Sequence, residues 1–410
     1  MQSDECGMRN DEYSFWPGHS AFVIPHSEIG IRHLIMSRLQ DYALESAPRL
    51  LEQIQQLVQL ESPSGDRTRV NGAVAWVERQ LQELGASTTR VPQRVVGDQL
   101  IACLGSGSRK TLLLGHLDTV WEVGQSERMP IKVEQGKAYG PGIFDMKSGV
   151  LLMLELFRMA AKGVMNFQSS LVAFYNSDEE IGSGTSRAVL EELARKCDQV
   201  LVFEPCLPGG KAKTSRKGVG DYTLEIFGKS AHAGVDPLAG VSAIEEFAHQ
   251  VFALKKVVES QTGATVNIGV VRGGTRDNVV PEFLSAQVDV RVASVHDGVA
   301  IDRKLRSLKP VLKGARLKIT GGINRPPLER TPKVVELFEK ASVVAREQGW
   351  TLQEGSTGGG SDGSFTAALG IPTLDGLGVD GDGAHALHEH ILVDDIPRRL
   401  ALAAGLLEKI

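Results

Sequence analysis

The apolar positions of the chain show no regular spacing at first and become periodic near Pro48. In PRLLEQIQQLVQL, the residues Leu50, Leu51, Ile54, Leu57 and Val58 recur at helical spacing. A second helix is predicted over about 68–84, stopped by Gly85. Three short apolar runs follow: TLLLG at 111–115, SLVAFY at 170–175 and VLVF at 200–203. A strand covered on both faces reads in this way. Helices predicted over 146–162 and 183–196 lie between them. Alternating strand and helix imply an α/β domain with a largely parallel sheet.

The pattern changes after about residue 213. DYTLEIFG alternates like a half-exposed strand, a helix is predicted over 241–258, and ATVNIGVVRGG and FLSAQVDVRVA alternate again. A helix near 297–308 and the strand ARLKIT complete a β-α-β-β-α-β order, the ferredoxin-like arrangement. After Pro327 the first style returns, with a helix over 332–348, a strand at IPTLD and a final helix over 395–409. The expected organisation is an extension of uncertain order at 1–40, a discontinuous α/β domain at 41–217 and 327–410, and an inserted α+β domain at 218–326.

Composition narrows the function classes. The 410 residues are 42% hydrophobic and 23% charged, as in a folded globular protein. A net charge of −5 argues against nucleic acid or an anionic membrane as partner. No apolar run reaches the ~18 residues that a membrane span needs. The first residues lack the basic start and apolar stretch of a secretory signal, so a cytoplasmic location is expected. Four cysteines without a CxxC pair suit neither a disulfide framework nor a cysteine zinc site. Glycine, at 45 residues, exceeds its usual share of about 7%. The excess clusters in GPG, IGSG, GKSAHAG, GGGSD and GLGVDGDGAH, beside the most polar motifs.

Those motifs collect where the predicted strands end, the place at which open α/β sheets bind ligands. TLLLG runs into His116 and Asp118, SLVAFYNS into Asp178, Glu179 and Glu180, and VLVF into Glu204. GPGIFD places Asp145 before the long helix, and GAHALHEH holds His385, His388 and His390. Singly, each has a plain reading as a turn, a cap, a solvated pair or a loop. Jointly they bring imidazole and carboxylate to one rim, a donor set that suits zinc, cobalt or manganese. One bridging carboxylate, two histidines and two terminal carboxylates would hold two ions about 3.5–4 Å apart. That leaves one glutamate of the Glu179–Glu180 pair as a base.

In this order, GHLDTV, GPGIFDMKSG, NSDEEIGSGTS, EP, GKSAHAGVDPLAGVSAI, NVVP, GGGSD and GAHALHE resemble the co-catalytic zinc metallopeptidases of peptidase family M20. That family includes glutamate carboxypeptidases, aminoacylases, succinyl-diaminopimelate desuccinylases and di- and tripeptidases, and the chain is most similar to its glutamate carboxypeptidase branch. The resemblance implies a di-zinc hydrolase domain, with the inserted domain as a lid that also dimerises. It implies two Zn2+ per subunit, with Co2+ or Mn2+ as substitutes. His116 and Glu204 match the ligands of one ion, Glu180 and His385 those of the other, and Asp145 the bridge. Of the late histidines, His385 fits because Glu389 stands four residues on. Asp118 matches a residue that orients His116, Glu179 the general base, and His232 a histidine that enters the neighbouring subunit's site. Asn278, Arg325, Gly359, Gly360 and Lys211 match substrate-binding positions. The implied reaction is hydrolysis of an amide bond to a C-terminal amino acid with a free carboxylate, glutamate first, in a homodimer acting on small N-acyl amino acids or peptides. The alternatives are an N-acyl-amino-acid deacylase or dipeptidase, or a relative that binds metal without catalysis.

Overall fold

A computed structural model describes residues 26–167, 169–259 and 263–410, with side chains from Arg38 onward. Its largest sheet has six strands in the order Ser87–Val91, Gln99–Leu104, Ser170–Asn176, Lys110–His116, Gln199–Val202 and Thr373–Leu374. Pairings among the last four are parallel, and the first two join antiparallel. The α/β class with a mixed, mainly parallel sheet is therefore present. The antiparallel edge strand STTRV has no apolar run to announce it and is only half covered.

Connectivity explains where the chemistry sits. From Lys110–His116 the chain crosses to Ser170–Asn176 on one side and later to Gln199–Val202 on the other. This reversal opens a crevice beyond the carboxyl ends of the strands. The helix Ser148–Ala161, apolar almost all round, is buried between the sheet and the helices His26–Gln59 and Asp395–Lys409. It approaches the sheet closely at Gly149, where an added Cβ would lie 2.0 Å from the Phe203 carbonyl oxygen.

The helix His26–Gln59 runs straight through residue 40, where the extension was expected to end. Leu39 and Ala43 are fully buried with Leu50, Ile54 and Leu57 in the main core. The polar residues Glu45 and Ser46, followed by Pro48, interrupt the apolar spacing and hide this continuity in the sequence. The rest of the expected extension, 1–25, lies outside the described residues.

The inserted segment forms a second, antiparallel sheet in the order Thr265–Gly273, Phe283–Val292, Gly218–Phe227 and Arg316–Arg325. Burial alternates along Gly218–Phe227; the helix Ala243–Glu259 packs on this strand, and Val295–Arg306 packs on its neighbours Phe283–Val292 and Arg316–Arg325. Tyr222, Leu224, Ile226, Val288, Ile301 and Leu305 belong to its own core. A small antiparallel sheet pairs Lys137–Tyr139 with His390–Leu392, tying the loop before Asp145 to the loop after His385.

Candidate metal centre and catalytic cleft

Beyond the sheet lies a cleft of about 610 Å³, lined by Asp145, Glu179, Glu180, Glu204 and His385 together with lid residues. Two half-sites share Asp145. Its Oδ1 stands 3.2 Å from His116 Nε2, which is 3.6 Å from Glu204 Oε1. Its Oδ2 stands 3.4 Å from His385 Nε2, which is 3.2 Å from Glu180 Oε2. Around an ion with ligands at about 2.0–2.1 Å, tetrahedral neighbours are about 3.3–3.4 Å apart. The separations have that size. Among the described residues Glu180 Oε1, which is buried, has no hydrogen-bond partner, a second sign of an unfilled coordination demand.

Each ligand candidate is held by its neighbours. His116 Nδ1 lies 2.9 Å from the Asp118 backbone carbonyl, which fixes Nδ1 as the donor and leaves Nε2 as an acceptor. The Asp118 carboxylate is 3.6 Å from that ring. It accepts instead from Ser64 Oγ at 2.7 Å and from the backbone N–H groups of Glu179 and Glu180 at 3.1 and 3.2 Å. Asp118 thus orients His116 through its main chain and the glutamate pair through its side chain. Glu389 accepts from the N–H groups of Gly142, Phe144 and Asp145 and from Trp121 Nε1 at 2.7–3.0 Å. Its carboxylate shapes the turn that presents Asp145, and the Asp145–Met146 peptide bond is cis.

The electrostatics ask for added positive charge. Burial, then the Asp145 carboxylate, pushes Glu204 up to about 7. Burial also pushes Glu179 well above the ordinary carboxylate range, against the pull of Arg325. Burial disfavours a charged His116, yet Asp118 and Asp145 hold its pKa well above 6.5. Bonds to Asp145 and Glu180 raise His385 to about 10. Protons would here do the work of cations: several carboxylates packed together remain ionised only beside positive charge. The donor set, the shared carboxylate and this charge balance fit a dinuclear centre.

The substrate-binding expectations divide. Gly359 and Gly360 line the cleft, and their carbonyls accept from Arg216 Nη1 at 3.2 and 2.9 Å. Arg325 also lines it, with both terminal nitrogens of its guanidinium engaged and, among the described residues, no partner for its buried Nε. Nη1 is 2.9 Å from Glu179 Oε1, while Nη2 reaches the Glu179 carbonyl, Ser183 Oγ and Asp362. Lys211 pairs through its backbone with Leu207 in a turn and is not among the cleft-lining residues, which include Lys213. His232 and Asn278 sit together on the exposed lid surface, where the Ala233 N–H donates to the Asn278 carbonyl at 3.0 Å, and neither lines the cleft of its own chain. His388 contributes a carbonyl to His390 Nδ1, and neither ring enters the site.

Arg216, Asp375, Asp362 and Lys213 were not anticipated. Arg216 is nearly fully buried and forms a two-pronged pair with Asp375 at 2.7 and 2.9 Å, with Glu204 Oε2 at 3.6 Å. It joins one half-site to the Gly359–Gly360 loop. The basic run KAKTSRK offered four cations without saying which faced inward.

Residues 112–409 match the model of peptidase family M20/M25/M40. The chain belongs to that family. It is 32% identical over 373 residues to carboxypeptidase G2 of Pseudomonas sp. (strain RS-16), covering 89% of this chain and 90% of that protein. Among solved structures, aminopeptidase PepT from Bacillus cereus superposes with a TM-score of 0.72 at 21% identity, covering 88% of this chain and 98% of the other. The Bacillus subtilis YXEP protein, described as a dinuclear metal-binding peptidase of family M20, gives 0.62 at 16%, over 88% and 97%. The chain is thus a hydrolase of the M20 metallo-exopeptidases, and its mainly parallel sheet and separate antiparallel-sheet domain match that fold.

Proposed function

We propose that the protein hydrolyses the amide bond to a C-terminal amino acid with a free carboxylate, glutamate being the preferred residue. The observation that carries this reading is the pair of half-sites sharing Asp145, with Glu179 beside them in a cleft of cationic side chains. His116, Glu204 and Asp145 would hold one zinc ion, and Glu180, His385 and Asp145 the other. When bound, the ions supply Lewis acidity, which eases deprotonation of water and polarises a carbonyl. Glu179 Oε1 is held by Arg325, which leaves Oε2 to take the water's proton and return it to the departing nitrogen. Asp118 keeps the Glu179 main chain in place while this happens. Likeness to carboxypeptidase G2 along nine-tenths of both chains supports a carboxypeptidase over other members of the family.

The lid histidine His232 and Asn278 are proposed to complete the cleft of a second subunit, since both are exposed and lie outside their own. A panel of N-acyl-glutamates, N-acetylated basic amino acids, succinyl-diaminopimelate and dipeptides, assayed with zinc and with cobalt, tests the substrate reading. N-acyl-glutamates are expected to give the highest kcat/KM. A clear preference for succinyl-diaminopimelate or simple dipeptides would replace this reading with a deacylase or dipeptidase.

A further inference from the structure

Arg216 is almost fully buried, and each nitrogen of its guanidinium has a task. Nε donates to Asp375 Oδ2 at 2.7 Å, and Nη2 donates to Asp375 Oδ1 at 2.9 Å. Nη1 donates to the carbonyls of Gly359 and Gly360. Nη2 has a second hydrogen to place, and Glu204 Oε2 stands 3.6 Å from that nitrogen. The gap is too long for a hydrogen bond, but in a buried place the attraction across it is strong. One nitrogen thus lies between two carboxylates, and Asp375 holds it.

The main chains on both sides leave little freedom. Arg216 ends the strand Ala212–Arg216, where its N–H donates to the Leu328 carbonyl at 2.9 Å and its carbonyl accepts from the Leu328 N–H at 3.1 Å. Asp375 follows the strand Thr373–Leu374, and its carbonyl accepts from the Lys213 N–H at 2.8 Å. The Asp375 carboxylate is fully buried and also accepts from Ser361 Oγ at 2.6 Å. Gly363 makes room for it, since a Cβ there would lie 3.2 Å from Oδ2. With both backbones fixed, the guanidinium can move only by turning its side chain. Glu204 is the other carboxylate it meets among the described residues.

We propose that Asp375 is a positioning residue of the metal centre: it holds the Arg216 guanidinium back from Glu204 and so keeps that carboxylate free for an ion. The inference rests on the dinuclear reading of the cleft. Glu204 turns Oε1 toward His116 and Oε2 toward Arg216. A guanidinium and a metal ion compete for the same carboxylate, because each is a cation that it can pair with. Without the charge of Asp375, the buried arginine turns to Glu204, since an unpaired buried charge is costly. The other half-site has no such competitor: Glu180 meets His385 and, among the described residues, no arginine.

Asp375→Asn keeps the shape of the side chain and removes its charge. The test dialyses the cobalt-loaded parent, Asp375→Asn and the double variant Asp375→Asn/Arg216→Met against graded chelator, and anomalous scattering in crystals shows which half-site empties. Asp375→Asn should bind the ion between His116 and Glu204 about 10- to 100-fold more weakly. It should keep the ion between Glu180 and His385, and the double variant should regain the parent affinity at both. Equal weakening of both ions would mark Asp375 as a general support of the fold and overturn the inference. A double variant as weak as Asp375→Asn would overturn it too, because release of Arg216 would then not be the cause. Unchanged affinity in Asp375→Asn would have the same force. A parent that holds one ion only would end the dinuclear reading. The inference then stands if that ion touches Glu204, is weakened in Asp375→Asn and returns in the double variant, and falls if the ion sits elsewhere. An Asp375→Asn protein that does not fold is replaced by Asp375→Ser, judged by the same ratios.

Discussion

At the scale of single residues, the site works by division of labour between neighbours in sequence. Glu179 and Glu180 share one turn, and Asp118 accepts from both of their backbone N–H groups. Glu180 points its carboxylate at His385, while Glu179 points at Arg325. Replacing Glu179 by Gln keeps the shape of the side chain but removes the proposed base. Turnover should fall at least about 10²-fold, with both metal equivalents retained by elemental analysis. A kcat within threefold of the parent, a window of about 0.65 kcal/mol in barrier, would sink the assignment. Glu389 shows how a residue outside the ligand set acts. It bonds to four N–H groups, three of them in the turn that ends at Asp145, so the turn's geometry depends on a carboxylate 244 positions away in sequence.

At the scale of elements, the long helix Ser148–Ala161 and the strand that ends before Glu204 hold each other in register. Gly149 allows the contact, because any Cβ there meets the Phe203 carbonyl. Overpacking of this kind costs about 1–3 kcal/mol. Gly149→Ala should therefore lower Tm by several degrees. Because Phe203 adjoins Glu204, it should also weaken cobalt binding in equilibrium dialysis. An unchanged melting curve would show that the helix can shift without cost. The lid's helices and strands are more independent, since their apolar faces close on one another in a separate core.

At the scale of the whole molecule, the placement of His232 and Asn278 is the telling feature. Both lie on the exposed lid surface, away from the cleft of their own chain. If the homodimer forms and the lid histidine acts across it, two inactive variants will rescue each other. Mixing Glu179→Gln with His232→Ala should restore activity, because a mixed dimer has one cleft with both groups intact. Light scattering should give twice the chain mass. Proven subunit exchange without recovered turnover would place His232 outside the reaction.

Much of this was legible in the chain. Continuous apolar runs identify covered strands, and each is followed by His116, the Glu179–Glu180 pair or Glu204. Alternation within 218–326 identifies a half-exposed antiparallel sheet, because such a sheet must place one side chain in two toward water. Periodicity reports which face of an element is buried, and a strand end followed by a ligand residue is a local pattern. Both belong to the sequence. Tertiary structure alone decided which partners the charges take. The basic run 211–217 contains four cations, and only the pairing of the strand Ala212–Arg216 with Glu354–Thr357 and the backbone of Asp375 turns Lys213 and Arg216 inward. The Arg325 fork reads as a carboxylate receptor, and only the fold shows that Glu179 and Asp362 stand against it. The helix His26–Gln59 likewise reads as an extension at its start until Leu39 and Ala43 meet the core. Charge pairing and long-range packing depend on distances between segments hundreds of residues apart, and no local pattern carries that information.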